Sequence, residues 1–163
     1  MVSDIFYPLR LAGQQRKPVS IMTWGLSHPS NMIELIAALH GCPNVALLVG
    51  YNKKTHDLRE LLDNLKQYRA LGWQVAMLPN MHIKLWIIGE SGDHEKCAYA
   101  GSCNFANSDT IINEMFEVPL VFAQPVFDCY WSQAARLSYS TVLELIPQAK
   151  RRHDYGNPAK QNA

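Results

Sequence analysis

The chain has 163 residues, 48% of them hydrophobic and 18% charged, with 15 Lys and Arg against 14 Asp and Glu. A single domain of this length buries roughly two-thirds of its unfolded surface, and four Trp, seven Tyr and five Phe exclude disorder as the main state. A net charge of +1 excludes global steering toward nucleic acid or acidic membrane, leaving only local patches for either.

No apolar run reaches the ~18 residues of a membrane span, and charge inside the first apolar stretch argues against a secretory leader. The four cysteines, Cys42, Cys97, Cys103 and Cys129, form no CxxC pair. They are expected to be free thiols in a reducing, cytoplasmic setting. His94, Cys97 and Cys103 lack the tight spacing of a zinc site, so no metal or other cofactor is expected.

In chain order, residues 1–18 read as an irregular lead-in arm. VSIM from Val19 to Met22 is predicted as a buried strand. Ser27 to Ser30 makes a turn and helix cap, and the following helix places Ile33, Ile36, Ala37 and His40 on one side before Gly41 stops it. NVALLVG, from Asn44 to Gly50, is a continuous apolar strand of the kind covered on both faces. A helix from Thr55 carries the stripe Leu58, Leu61, Leu62 and Leu65, and Gly72 ends it before the strand WQVAML.

MHIKLWII and KCAYAG are predicted strands around the charged turn GESGDHE. Phe105 to Ile112 reads as a short helix or irregular turn. MFEVPLVF is a strand whose Pro119 marks an edge or bulge. A last helix, PVFDCYWSQAARLS, turns Phe127, Tyr130, Trp131 and Ala134 inward. The order β-α-β-α-β-β-β-α-β-α predicts an α/β fold with a mixed β-sheet flanked by helices on both faces, occupying residues 19–147, with a basic flexible tail over 148–163.

Polar residues inside these apolar strands mark the candidate site. Alternation sends His82 and Lys84 to one face, about 7 Å apart. In Gly101-Ser102-Cys103-Asn104-Phe105 the same device aims Ser102 and Asn104 together. Glu117 stands inside the next strand, and Glu114 lies just before it. A neutral histidine nitrogen attacks phosphorus, a carboxylate on the other nitrogen fixes the tautomer, and Lys and Asn donate to the non-bridging oxygens. No Asp cluster is present to hold Mg²⁺, so the chemistry expected is metal-independent.

The combination His82-Ile83-Lys84, then Gly101-Ser102-Cys103-Asn104-Phe105, then a Glu before an apolar strand, resembles the HxK…GSxN pattern of the phospholipase D superfamily. The resemblance covers roughly residues 19 to 140. It departs from the pattern at position 89, where the family has Asp and this chain has Gly89, with Asp93 four residues later. Glu117 matches the family phrase FEV and is the preferred carboxylate, with Glu114 as the alternative.

The resemblance implies a phosphohistidine intermediate at His82. Because a single copy of the motif is present, it also implies a C2 homodimer with the site on the twofold axis. It is closest in kind to small endonucleases, so nucleic acid is the expected substrate, with no membrane partner. Lys53, Lys54, Lys150, Arg151 and Arg152 are candidate phosphate-backbone contacts. The alternatives are a non-catalytic dimeric binding or inhibitory module of the same fold, which Gly89 favours, and a phospholipase or phosphatidyl transferase.

Overall fold

The computed structural model describes residues 6–26, 29–52, 58–90, 92, 94–102 and 114–136. Their elements are α1 (Tyr7–Gln14), β1 (Val19–Trp24), α2 (Pro29–Ala38), β2 (Val45–Tyr51), α3 (Leu58–Ala70), β3 (Gln74–Pro79), β4 (Leu85–Ile88), β5 (Cys97–Gly101), β6 (Met115–Val118), α4 (Leu120–Gln133) and β7 (Ala135–Arg136). The strands form one sheet in the order β6-β5-β4-β1-β2-β3-β7. β1, β2 and β3 are parallel neighbours, while β4, β5, β6 and β7 join antiparallel. This is the mixed α/β architecture expected from the alternation of helices and apolar strands.

The central strands are buried on both faces, and strict alternation divides their side chains between two cores. Val19, Ile21, Leu47, Val49 and Trp86 face α1, α2 and α3, meeting Leu9, Leu35, Leu62, Leu65 and Tyr68. Met22, Leu48, Leu85, Ile87 and Ala98 face α4, meeting Ala123 and Phe127. Both helical connections among the parallel strands lie on one face, as successive crossovers moving in one direction across a sheet require.

Four local expectations are corrected. The irregular arm expected over 1–18 is corrected for its described part, residues 6–18: α1 forms there, with Pro8 in its first turn, and Leu9 and Ala12 enter the core almost completely. Its apolar side chains recur at a spacing that Gln and Gly obscure in the sequence. In α2 the buried stripe is Met32, Leu35, Ala38 and Leu39, whereas Ile33 is 70% exposed. In the third case the strand MFEV stops at Val118. Pro119 has no N–H to continue the ladder and instead precedes α4, where its carbonyl accepts the amides of Phe122 and Ala123. Finally, the last helix ends at Gln133. Ala134 is extended, and β7 pairs with β3.

Tyr130 and Trp131 pack against the α4-side core as expected. The predicted turn or helix over 105–112 and the basic tail over 148–163 lie outside the described residues. Among the described residues no helix is long and apolar enough to cross a membrane.

Candidate functional site

The chain has to pass from β3 to β4, which lie on opposite sides of the β1–β2 pair. It does so over the carboxyl ends of β2 and β1. Asn80 turns the corner with φ 58, its amide donating to the Tyr51 carbonyl at 2.7 Å. Residues 81–84 then cross the strand ends without belonging to the sheet, so the strand expected over MHIKLWII begins only at Leu85.

Along this crossing Met81 is buried and His82 exposed, while Ile83 and Lys84 are both half-buried. Met81 and Ile83 join the α4-side core and anchor the segment. The shared face expected for His82 and Lys84 rests on strand alternation, which begins only at Leu85.

The crossing fits because β2 carries glycine at position 50. A Cβ there would stand 1.9 Å from the Met81 carbonyl oxygen and 3.0 Å from the Trp24 ring. With that space open, the His82 imidazole lies on the indole of Trp24, the last residue of β1. The ring centroids are 3.6 Å apart and the planes are inclined by 21°. Trp24 carries no motif signature, and its partnership depends on two strand ends distant in sequence.

The second motif arrives on β5. Leu85 pairs with Ala100, and the Gly101 amide donates to the Lys84 carbonyl at 3.3 Å, so the end of HxK and the start of GSxN adjoin. Ser102 occupies a bend where strand alternation stops. Its amide donates to the Glu114 carbonyl at 2.9 Å, and its Oγ accepts the Glu114 amide at 3.1 Å. Gly101 permits this approach, because a Cβ there would lie 1.9 Å from the Glu114 oxygen. Asn104 lies outside the described residues.

The two glutamates stand at different levels. Glu117 pairs with Tyr99, which pairs with Trp86, four residues beyond His82. Glu114 sits beside Ser102, which follows the Gly101 amide that reaches the Lys84 carbonyl. Glu114 therefore stands three residues nearer the HxK crossing along β6 than Glu117 does. Glu117 instead neighbours the Tyr99 phenol. Burial first, then Cys97 and the Glu117 charge, push that phenol up to about 12.

Gly89, which occupies the family's Asp position, lies past the far end of β4, about 20 Å along the chain from His82. Its φ is 100, and its amide donates to the Pro18 carbonyl at 2.9 Å. That left-handed conformation favours glycine over Asp, so the departure follows from the local backbone. Lys53, Lys54, Asp93, Lys150, Arg151 and Arg152 lie outside the described residues. Among the described residues no three His, Cys, Asp or Glu side chains converge as a metal-binding group.

This arrangement has relatives among solved structures. A phospholipase D family member, Nuc from Salmonella typhimurium, superposes with a TM-score of 0.58 at 18% identity, covering 79% of this chain and 87% of its own. Polyphosphate kinase from Porphyromonas gingivalis superposes with a TM-score of 0.57 at 16% identity, over 85% of this chain and 23% of its own. No family model matches the sequence, and no curated protein matches it. The fold is thus the phospholipase D-like α/β fold.

Proposed function

We propose that this chain is a metal-independent phosphodiesterase with His82 as nucleophile, acting on nucleic acid as an endonuclease. The observation that carries the reading is the convergence at one corner of the sheet. Lys84 is bonded through its carbonyl to Gly101, and Ser102 is bonded twice to Glu114, all beside the His82 crossing. The shared fold with a phospholipase D family member supports the same chemistry.

His82 attacks phosphorus, forming a P–N bond as the P–O bond to the leaving oxygen breaks. Lys84, with Ser102 and Asn104, stabilises the charge gathering on the non-bridging oxygens. Glu114 is the carboxylate assigned to the histidine, because it adjoins Ser102 at the end of the HxK crossing, whereas Glu117 stands three residues farther down β6 beside Tyr99. It accepts the ring N–H, fixes the tautomer and stabilises the imidazolium.

A second copy's His82 protonates the leaving oxygen across a twofold axis. It then takes a proton from the water that displaces the phosphoramidate, and the P–N bond breaks. Lys53, Lys54, Lys150, Arg151 and Arg152 are the proposed phosphate-backbone contacts. Gly89 does not count against activity, since its position is remote from His82.

The test is incubation of the native chain and His82→Ala with plasmid and single-stranded DNA and RNA in excess EDTA. Cleavage by the native chain alone, with end label trapped on His82 after quenching without acid, is the expected result. Loss of cleavage in EDTA with recovery in Mg²⁺ overturns the metal-independent mechanism. An inert native chain that still binds nucleic acid turns the reading to a binding module, and cleavage confined to phospholipid turns it to a phospholipase. Sedimentation at micromolar concentration should show a dimer, and a monomer there sinks the twofold site.

A further inference from the structure

We infer that Trp24 is a positioning residue for His82, acting as an aromatic floor that fixes the imidazole plane. This rests on the reading of His82 as the reacting histidine. Its structural content is independent of that reading, because it concerns two rings in contact.

The contact is close and nearly parallel, 3.6 Å between centroids at 21°. An exposed histidine on a crossing segment has two side-chain torsions to lose. One ring face held against an indole removes most of that freedom before substrate arrives, which is how a nucleophile is preorganised. Stacking also leaves both ring nitrogens at the edge, where one can meet a carboxylate and the other phosphorus.

The backbone is built for the contact. Trp24 is the terminal residue of β1, with its successor Gly25 donating to the Gly50 carbonyl at 3.0 Å. Gly50 leaves room for both the Met81 carbonyl and the indole edge. Met81, 2% exposed, anchors the crossing just before His82. The described titratable groups on the elements meeting this segment are Tyr51 at the end of β2, Lys84 on the crossing and Glu114 before β6. Variants at Trp24 leave all three in place.

The experiment is proton NMR of the full chain and of Trp24→Phe and Trp24→Leu. The His82 signals are assigned among the six histidines by their loss in His82→Gln. In the native chain the carbon-bound ring protons of His82 should resonate clearly upfield of the other exposed histidines, because they lie over the indole. Trp24→Leu, which keeps apolar cover without a π face, should return them downfield. Trp24→Phe should retain most of the effect.

If the native chain cleaves phosphodiesters, Trp24→Leu should lower kcat with KM little changed, and Trp24→Phe should restore it. Native His82 signals at unshifted positions overturn the proposal without recourse to any Trp24 variant. So does a Trp24→Leu chain whose His82 shifts match the native ones. A native chain that shows the ring shift yet cleaves nothing refutes the phosphodiesterase reading and leaves the stacked pair standing.

Discussion

Ser102 and Glu114 hold each other by two hydrogen bonds twelve residues apart in sequence. The Ser102 amide donates to the Glu114 carbonyl at 2.9 Å, and the Glu114 amide donates to Ser102 Oγ at 3.1 Å. This pairing continues the β5–β6 ladder one step beyond Gly101 and Met115. It sets the glutamate beside the end of the HxK crossing.

The first prediction separates the two carboxylates. Glu114→Gln keeps shape and loses the charge that supports the histidine, so phosphodiesterase turnover should fall by about two orders of magnitude or more. Glu117→Gln, three residues farther down the sheet, should stay within about threefold of native. The reverse ranking in steady-state rates would return the role to Glu117.

Gly101→Ala should disrupt the same corner from inside. The added methyl would meet the Glu114 carbonyl oxygen at 1.9 Å and its carbon at 2.8 Å, and both are backbone atoms that cannot swing away. Either β6 shifts or the ladder opens, at a cost of about 1–3 kcal/mol or more. Denaturant unfolding should show that loss, and turnover should fall further than stability alone explains. An unchanged midpoint and rate would show that the two strands do not approach this closely.

The helix within residues 1–18 makes a prediction about stability. Leu9 is fully buried against α2 and the sheet. Leu9→Ala should cost about 2–5 kcal/mol in urea unfolding, the range for a leucine removed from a packed core. A loss below about 0.5 kcal/mol, as for an exposed arm, would contradict the packing of α1.

Alkaline stability follows from one buried group, Tyr68, and two half-buried ones, Cys42 and Tyr99. Burial pushes the Cys42 thiol up to about 11 and raises Tyr68, while burial with Cys97 and Glu117 pushes Tyr99 up to about 12. A raised pKa means that the folded state holds a proton the unfolded chain releases. The stabilisation is complete below the unfolded values, about 8.5 for thiol and about 10 for phenol, and is lost as pH climbs through the folded ones. The unfolding midpoint should therefore decline from about pH 9 toward pH 12. Tyr99→Phe should blunt the upper part of that decline, and an unaltered alkaline profile would contradict the burial of this phenol.

Gly89 shows why a motif position has to be judged in three dimensions. In the pattern HxK-x4-Asp it counts as a departure beside the site. In the fold it closes β4 with φ 100 against the Pro18 carbonyl, at the opposite end of the strand from His82. The sequence distance is seven residues, and an extended chain turns that into about 20 Å.

What the sequence by itself determined were the features that depend on local periodicity. Continuous apolar runs such as VALLVG announced buried strands, and Leu61, Leu62 and Leu65 announced the inward face of α3, because burial selects side chains at the period of the backbone. The same rule led to the expectation that His82 and Lys84 share one face, whereas in the fold the strand begins only at Leu85.

Tertiary structure alone decided which strand ends meet. Two glycines without sequence neighbours in common, Gly50 and Gly101, admit the Met81 and Glu114 carbonyls. Trp24 lies under a histidine fifty-eight positions later. The level of each glutamate was set by the β5–β6 register, which a count of residues from GSxN does not contain. Such contacts join segments whose separation along the chain carries no period, so only the packing of the sheet and the space left by absent side chains selects them.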